Sequence, residues 1–245
     1  MNSSEVLLDG DSFCAMVVAS ADFIEANAAL LSRLDAVSGD GDHGANAQRA
    51  MNQARTSLAA LEVTSPASVL GALASACAEA MGGASGAVFA AFFAGVADAI
   101  GDRPTVDAFV LAGSLTAGLE RVQRIGGAEP GDKTVVDALA PAVAAAESAS
   151  QRGTDVGELL AAAATAARAG AAATRELAAK VGRARYAESG GRGTADAGAT
   201  TIALMFESWA AAVDVRRCSG LASDNSNDPS AVSPGSRDLR SSGRH

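Results

Sequence analysis

Asp35, Asp40 and Asp42 fall within eight residues, in the segment Leu34-Asp-Ala-Val-Ser-Gly-Asp-Gly-Asp-His-Gly-Ala-Asn46. Carboxylates this close repel one another unless something positive sits between them. Gly39, Gly41 and Gly44 let the backbone bend tightly, so the side chains can converge. Hard oxygen ligands on a tight loop suit Mg²⁺, which takes one or two carboxylates per ion and completes its octahedron with water and phosphate oxygens. The competing reading is a solvated turn, because a chain of net charge −9 has acids to spare. Two other motifs fail. Gly39 to Gly44 fits G-x-G-x-x-G, but a helical pattern precedes it and its variable positions include acids that would repel a pyrophosphate. An EF-hand counted from Asp40 would put Gly44 and Met51 where liganding residues are required.

Three further segments carry chemistry. Gly82-Gly-Ala-Ser-Gly86 leads into an apolar helix whose free N–H groups, with the Ser85 hydroxyl, suit an anion; a helix–helix turn capped by the serine fits as well. Gly126-Gly-Ala-Glu-Pro-Gly-Asp-Lys-Thr134 approaches a P-loop, yet Asp132 separates the last glycine from the lysine and no strand leads in. Here Thr134 suits a helix cap, and Gly126 admits a flat base close to the backbone. Gly182-Arg-Ala-Arg-Tyr186 sets cations before Thr194-Ala-Asp-Ala-Gly-Ala-Thr200, with Arg183 either a phosphate contact or a solvated arginine. His43 could donate to a phosphate oxygen, or simply bond Asp40 or Asp42 within the loop. No nucleophile set assembles, so phosphoryl chemistry would fall to metals and positioning.

Alanine and glycine abound and aromatics are only 4% of the 245 residues, which favours closely packed helices. Apolar spacing predicts a first helix with Phe13, Val17, Ala21, Ile24, Ala28 and Leu31 on one stripe. A second helix follows over 46–61, and a third starts at Ser65-Pro66 and runs to Ala80. The fourth ends at Ile100. Pro104 is expected to open a fifth with Val106, Phe109, Val110, Gly113 and Ala117 on one face. The last three cover 134–148, 155–180 and 199–213. The expectation is one all-α domain over 1–217, with antiparallel neighbours where loops are short, and a disordered polar tail over 218–245.

The pI of about 4.7 argues against nucleic acid as a partner. Cys14, Cys77 and Cys218 are odd in number and share no metal spacing, which suits a reducing cytoplasm. Glu5, Asp9 and Asp11 stand where a secretory signal carries cations. The apolar run from Ala84 to Ala97 is too short for a bilayer and ends at Asp98, so no membrane is expected.

Taken together, five stretches resemble, in order, the nucleotide-binding L subunit of dihydroxyacetone kinase, the DAK2 domain. They are Leu34 to Asn46, Gly82 to Gly86, Ala128 to Thr134, Gly182 to Tyr186 and Asp196 to Ala199, spread over roughly residues 5 to 214. The resemblance implies an eight-helix antiparallel up-and-down barrel with ADP or ATP at one rim. It implies two Mg²⁺ ions between the phosphates and Asp35, Asp40 and Asp42. His43, Gly44, Ala45, Asn46, Ala84 and Ser85 become phosphate-side contacts, with His43 the catalytic candidate. Gly126, Val135, Arg183, Asp196, Ala197 and Gly198 fall at nucleotide-pocket positions. Three residues depart from the family pattern: Ala197 stands for proline, Val135 for methionine, and Arg185 for a small residue. By the same resemblance the ketose is held covalently on a partner K subunit. The nucleotide either exchanges as ATP or stays bound as ADP and is recharged by a phosphotransferase-system protein. An alternative use of the same pocket is an ADP-sensing module that docks on a transcription factor.

Overall fold

The computed structural model describes residues 6–61 and 64–224, with side chains as far as 216. Among these, eight α-helices carry the fold: α1 (Gly10–Asp35), α2 (His43–Ala59), α3 (Pro66–Ala80), α4 (Gly83–Ile100), α5 (Ala108–Gly126), α6 (Val136–Gln151), α7 (Val156–Ala173) and α8 (Ala197–Asp224). Each packs on its successor and α8 closes on α1, which makes an antiparallel up-and-down barrel. Two short strands, β1 (Leu8–Asp9) and β2 (Thr105–Val106), pair antiparallel with Leu8 opposite Val106. They staple the start of α1 to the approach to α5.

The two ends of the barrel are built differently. The odd-numbered helices begin at the β-paired end, and each has a side-chain cap. Asp9 accepts from the Ser12 N–H at 2.8 Å, Ser65 from Ser68 at 3.1 Å, Asp107 from Val110 at 2.7 Å and Asp155 from Glu158 at 2.9 Å. α2, α4 and α6 begin at the opposite end, and their N-cap residues Asp42, Gly82 and Val135 make no side-chain cap bond. Helix starts of that kind leave N–H groups and positive dipole ends directed at the rim.

Small residues allow the helices to approach closely. At Gly170 of α7 a Cβ would lie 2.1 Å from the Asp137 carbonyl oxygen of α6. The interior holds Phe89, Phe92, Phe93, Phe206 and Trp209, all nearly inaccessible. Trp209 Nε1 donates to Ser20 Oγ at 3.0 Å, and Ser20 and Ser208 share a 2.8 Å bond, so the polar groups between α1 and α8 are satisfied. α1 and α4 have the length and hydropathy of membrane spans, α4 being longer than the apolar run suggests. In the barrel their buried stripes are covered by neighbouring helices.

The helices depart most from the sequence expectations at α5, α7 and α8. Pro104 lies outside α5, which starts at Ala108 behind its Asp107 cap. The inward face of α5 is Leu111, Ala112, Leu115, Gly118 and Val122, whereas Phe109 is 80% exposed. The reason is packing: a Cβ on Gly118 would lie 2.8 Å from the Phe92 ring, so α5 turns its small residues to α4. α7 stops at Ala173, not Lys180, because Thr174 is wholly buried and tied down by other segments. α8 runs to Asp224, so the first seven residues of the expected tail are helical, and the rest of that expectation lies outside the described residues.

Candidate functional site

A cavity of about 780 Å³ opens at the rim where α2, α4 and α6 begin. The α1–α2, α3–α4, α5–α6 and α7–α8 connections all contribute to its wall. Of the residues singled out from sequence, Asp35, Asp40, Asp42, His43, Asn46, Ala84, Ser85, Gly126, Val135, Arg183, Asp196, Ala197 and Gly198 line it. Gly44 and Ala45 do not. Ala45 is exposed on α2, and Gly44 is buried against α1, where a Cβ would lie 1.9 Å from the Ala28 carbonyl oxygen.

The acidic loop is wound around Asp35 at the end of α1. The Gly41 N–H donates to Asp35 Oδ2 at 2.9 Å, and Gly41 takes φ +77°, a conformation glycine adopts at no steric cost. At Gly39 a Cβ would meet Asp35 Oδ1 at 2.4 Å, so a larger residue there would push that carboxylate out of its place in the loop. One carboxylate oxygen from each of Asp35, Asp40 and Asp42 lies within 4.8 Å of the others. Asp42 stands at the N-cap position of α2 but does not cap it, which leaves its carboxylate for this cluster. Arg183 crosses from the α7–α8 connection and pairs with Asp40 through both guanidinium nitrogens, the second at 3.3 Å. The guanidinium holds the Asp40 carboxyl down at about 2.

His43 is 6% exposed, with its ring near Phe89. Its Nε2 lies 2.8 Å from Thr201 Oγ1. Thr201 gives its own proton to the Ala197 carbonyl at 3.0 Å, so the network assigns the Nε2–H tautomer, with the lone pair on Nδ1. Burial pushes the imidazole below its usual pKa, against the pull of Asp35 and Asp42. A neutral His43 in this tautomer has no second proton to donate to a phosphate. The expected bond to Asp40 or Asp42 is replaced by the one to Thr201.

Several residues that shape the cavity were given no ligand role from sequence. Met81, Val88, Val122, Ala128 and Val181 give the cavity an apolar wall, suited to a flat ring. Lys133 is 3% exposed, and its ammonium donates to the Thr174 carbonyl at 2.6 Å and to the Thr194 carbonyl. Asp137 accepts from Gly131 N–H at 2.6 Å and Thr134 N–H at 2.7 Å, folding the α5–α6 connection. Thr134 Oγ1 in turn accepts the Val136 N–H at 3.1 Å, close to the capping role read from sequence. The visible clue to Lys133 was its place in the Gly-Asp-Lys-Thr stretch.

Asp196 sits at the start of α8, its Oδ2 taking the Ala199 N–H at 2.7 Å. Burial drives its carboxyl from 3.8 up to about 6, only partly opposed by that N–H and by Lys133. Below pH 3.8 the group is protonated folded or unfolded. Between 3.8 and about 6 the unfolded chain ionises first, so stability is lost as pH rises through that window. Asp196→Asn keeps the acceptor and removes the charge. It is expected to stabilise the ligand-free protein at pH 7 by about 1–2 kcal/mol, a gain that fades toward pH 4. Melting curves across this range check it; a variant less stable at pH 7 would mean that Lys133 holds the charge favourably.

The chain matches the family described as the DAK2 domain over residues 37–211. It is 37% identical over 195 residues to the D-erythrulose kinase of Mycolicibacterium smegmatis, covering 79% of this chain and 33% of that protein. It is 31% identical over 191 residues to the ADP-binding subunit DhaL of the PEP-dependent dihydroxyacetone kinase of Escherichia coli, covering 78% of this chain and 91% of that subunit. The crystal structure of the dihydroxyacetone kinase of C. freundii superposes with a TM-score of 0.63 at 28% identity, over 81% of this chain and 34% of that one. A second structure of that kinase, in complex with AMP-PNP and Mg²⁺, gives 0.65 at 24% identity, over 86% of this chain and 36% of that one. The chain spans about one third of the length of the erythrulose kinases it matches.

Proposed function

The chain belongs to the DAK2-domain family, and from that premise we propose that it is the nucleotide-binding, phosphoryl-transferring part of a kinase for a small ketose. One observation carries the reading: three converging carboxylates and the uncapped starts of α2 and α4 share one nucleotide-sized cavity. Acids alone would repel phosphate, and helix N-termini alone would not need acids. Together they suit phosphate with a divalent cation between.

In this proposal Asp35, Asp40 and Asp42 hold Mg²⁺, and three carboxylates are enough for two ions at the usual one or two each. An ion held by these residues would supply the positive charge that offsets the negative charge developing during transfer. Ala84 and Ser85, in the first turn of α4, offer N–H groups and a hydroxyl to the phosphates, and Asn46 and Arg183 close the same side. The base lies along Met81, Val88, Val122 and Val135, near Gly126, where a Cβ would meet nothing within 4 Å. Asp196, Ala197 and Gly198 complete that wall. His43 serves as a buried positioning group, since its Nε2–H is committed to Thr201. Gly44 and Ala45 support the α2 start without facing the ligand.

The ketose is presented by a K-type partner subunit or domain, and the cytoplasm is the compartment proposed. Phosphate comes from Mg-ATP, or from bound ADP recharged by a phosphotransferase-system phosphocarrier. The test combines the purified chain with a K-type subunit, dihydroxyacetone or erythrulose, and either phosphate source. Ketose phosphate formed only when both proteins are present is the expected result. Transfer by the chain alone would remove the partner requirement. No transfer with any source or ketose, despite tight Mg-ADP binding, would sink the kinase reading.

A further inference from the structure

Lys133 is nearly inaccessible and takes φ +62°, a backbone region that a non-glycine residue occupies only when its surroundings enforce it. A buried ammonium survives only if its protons find acceptors. Here two of the three go to main-chain carbonyls, those of Thr174 and Thr194. These carbonyls stand at the two ends of the α7–α8 connection, while Lys133 itself belongs to the α5–α6 connection. Thr174 extends the tie, because its Oγ1 accepts the Asp196 N–H at 2.8 Å just before α8. Burial lowers the lysine's pKa, and Asp196 and Asp137 oppose the effect.

We infer that Lys133 is a positioning residue: its buried ammonium fixes to one another two connections that form adjoining walls of the cavity. One wall carries Thr134 and Val135, the other Arg183, Asp196 and Gly198. A Cβ on Gly198 would lie 2.8 Å from Val135, so the walls already meet at that point. The inference rests on the nucleotide reading for its functional consequence but not for its geometry. A second tie joins the same connections, the 3.0 Å pair of Lys180 with Asp132. Its lysine is 65% exposed, and solvent-screened pairs of that kind contribute little.

The test uses the full chain and three measurements: Mg-ADP affinity well below the melting temperature, the melting temperature, and hydrogen exchange by segment. Lys133→Met is expected to weaken Mg-ADP binding at least tenfold and to speed exchange in 127–135 and 174–196, with the helices unchanged. Lys180→Met should change affinity less than twofold. If Lys133→Met only lowers the melting temperature and binds Mg-ADP as tightly as the parent, the positioning role is overturned. An equal loss from Lys180→Met would overturn the assignment to the buried ammonium. Should the parent chain fail to bind Mg-ADP, the nucleotide reading falls by itself. The exchange data then decide the tie alone: faster exchange confined to the two connections upholds it, and unchanged exchange removes it.

Discussion

Asp40→Ala is expected to abolish the thermal stabilisation that Mg-ADP gives the parent chain. A ligand held only by the folded state at about 100 times its dissociation constant adds about 2.7 kcal/mol. In a chain of this size that is roughly 5–10 °C. The variant removes one of three carboxylates whose oxygens lie within 4.8 Å, and Mg²⁺ has few other hard anionic ligands at this rim. Affinity for Mg-ADP should fall by about two orders of magnitude or more, while circular dichroism and the ligand-free melting point stay close to the parent's. Asp40 is exposed and, among the described residues, its ion pair is to an exposed arginine, so the fold owes it little. Arg183→Gln separates the causes. If Asp40 acts through its ion pair, both variants lose binding alike, with or without Mg²⁺. If it acts as a metal ligand, only Asp40→Ala loses the Mg²⁺ dependence. An Asp40→Ala protein stabilised by Mg-ADP as strongly as the parent would end the acidic-loop proposal.

What could be read ahead of the structure was local. The Asp35–Asp42 loop is legible because its glycines and acids interact over a few residues: Gly41 bonds Asp35 six positions away. Ser65-Pro66 is legible for the same reason, since Ser65 and Ser68 cap one another. The helix count followed from periodicity and glycine breaks. The ties across the barrel were hidden. His43 meets Thr201 158 positions on, and Lys133 reaches carbonyls 41 and 61 positions away. No spacing rule carries such contacts. The end of α7 was missed because the alanine run continues as a helix would, while the tie that stops it comes from Lys133 and Asp196. The face of α5 was misread because hydrophobicity favoured Phe109, whereas close packing on α4 selects small residues.

Gly44 is the sharpest case of a residue whose type was noticed and whose reason was not. As a phosphate contact its lack of a side chain would serve the ligand. In the barrel it serves α1: a Cβ would lie 1.9 Å from the Ala28 carbonyl oxygen and 2.7 Å from Ser32 Oγ. Backbone carbonyls cannot swing aside as a side-chain tip can, so Gly44→Ala must push the start of α2 away from α1. We expect a loss of about 3 kcal/mol or more, a drop of roughly 6–12 °C in melting temperature. The sign is opposite to that at Gly71 and Gly113, helix positions where a Cβ meets nothing within 4 Å. There alanine should add about 0.5–1 kcal/mol by its better helix propensity. Asp35 ends α1 and Asp42 precedes α2, so the same displacement spreads the carboxylates and weakens Mg-ADP binding as a consequence. The order of effects identifies the cause. A Gly44→Ala protein that melts within about 1 °C of the parent yet binds Mg-ADP poorly would make Gly44 a direct ligand contact; one that melts early, with binding lost in proportion, makes it the residue that lets two helices meet.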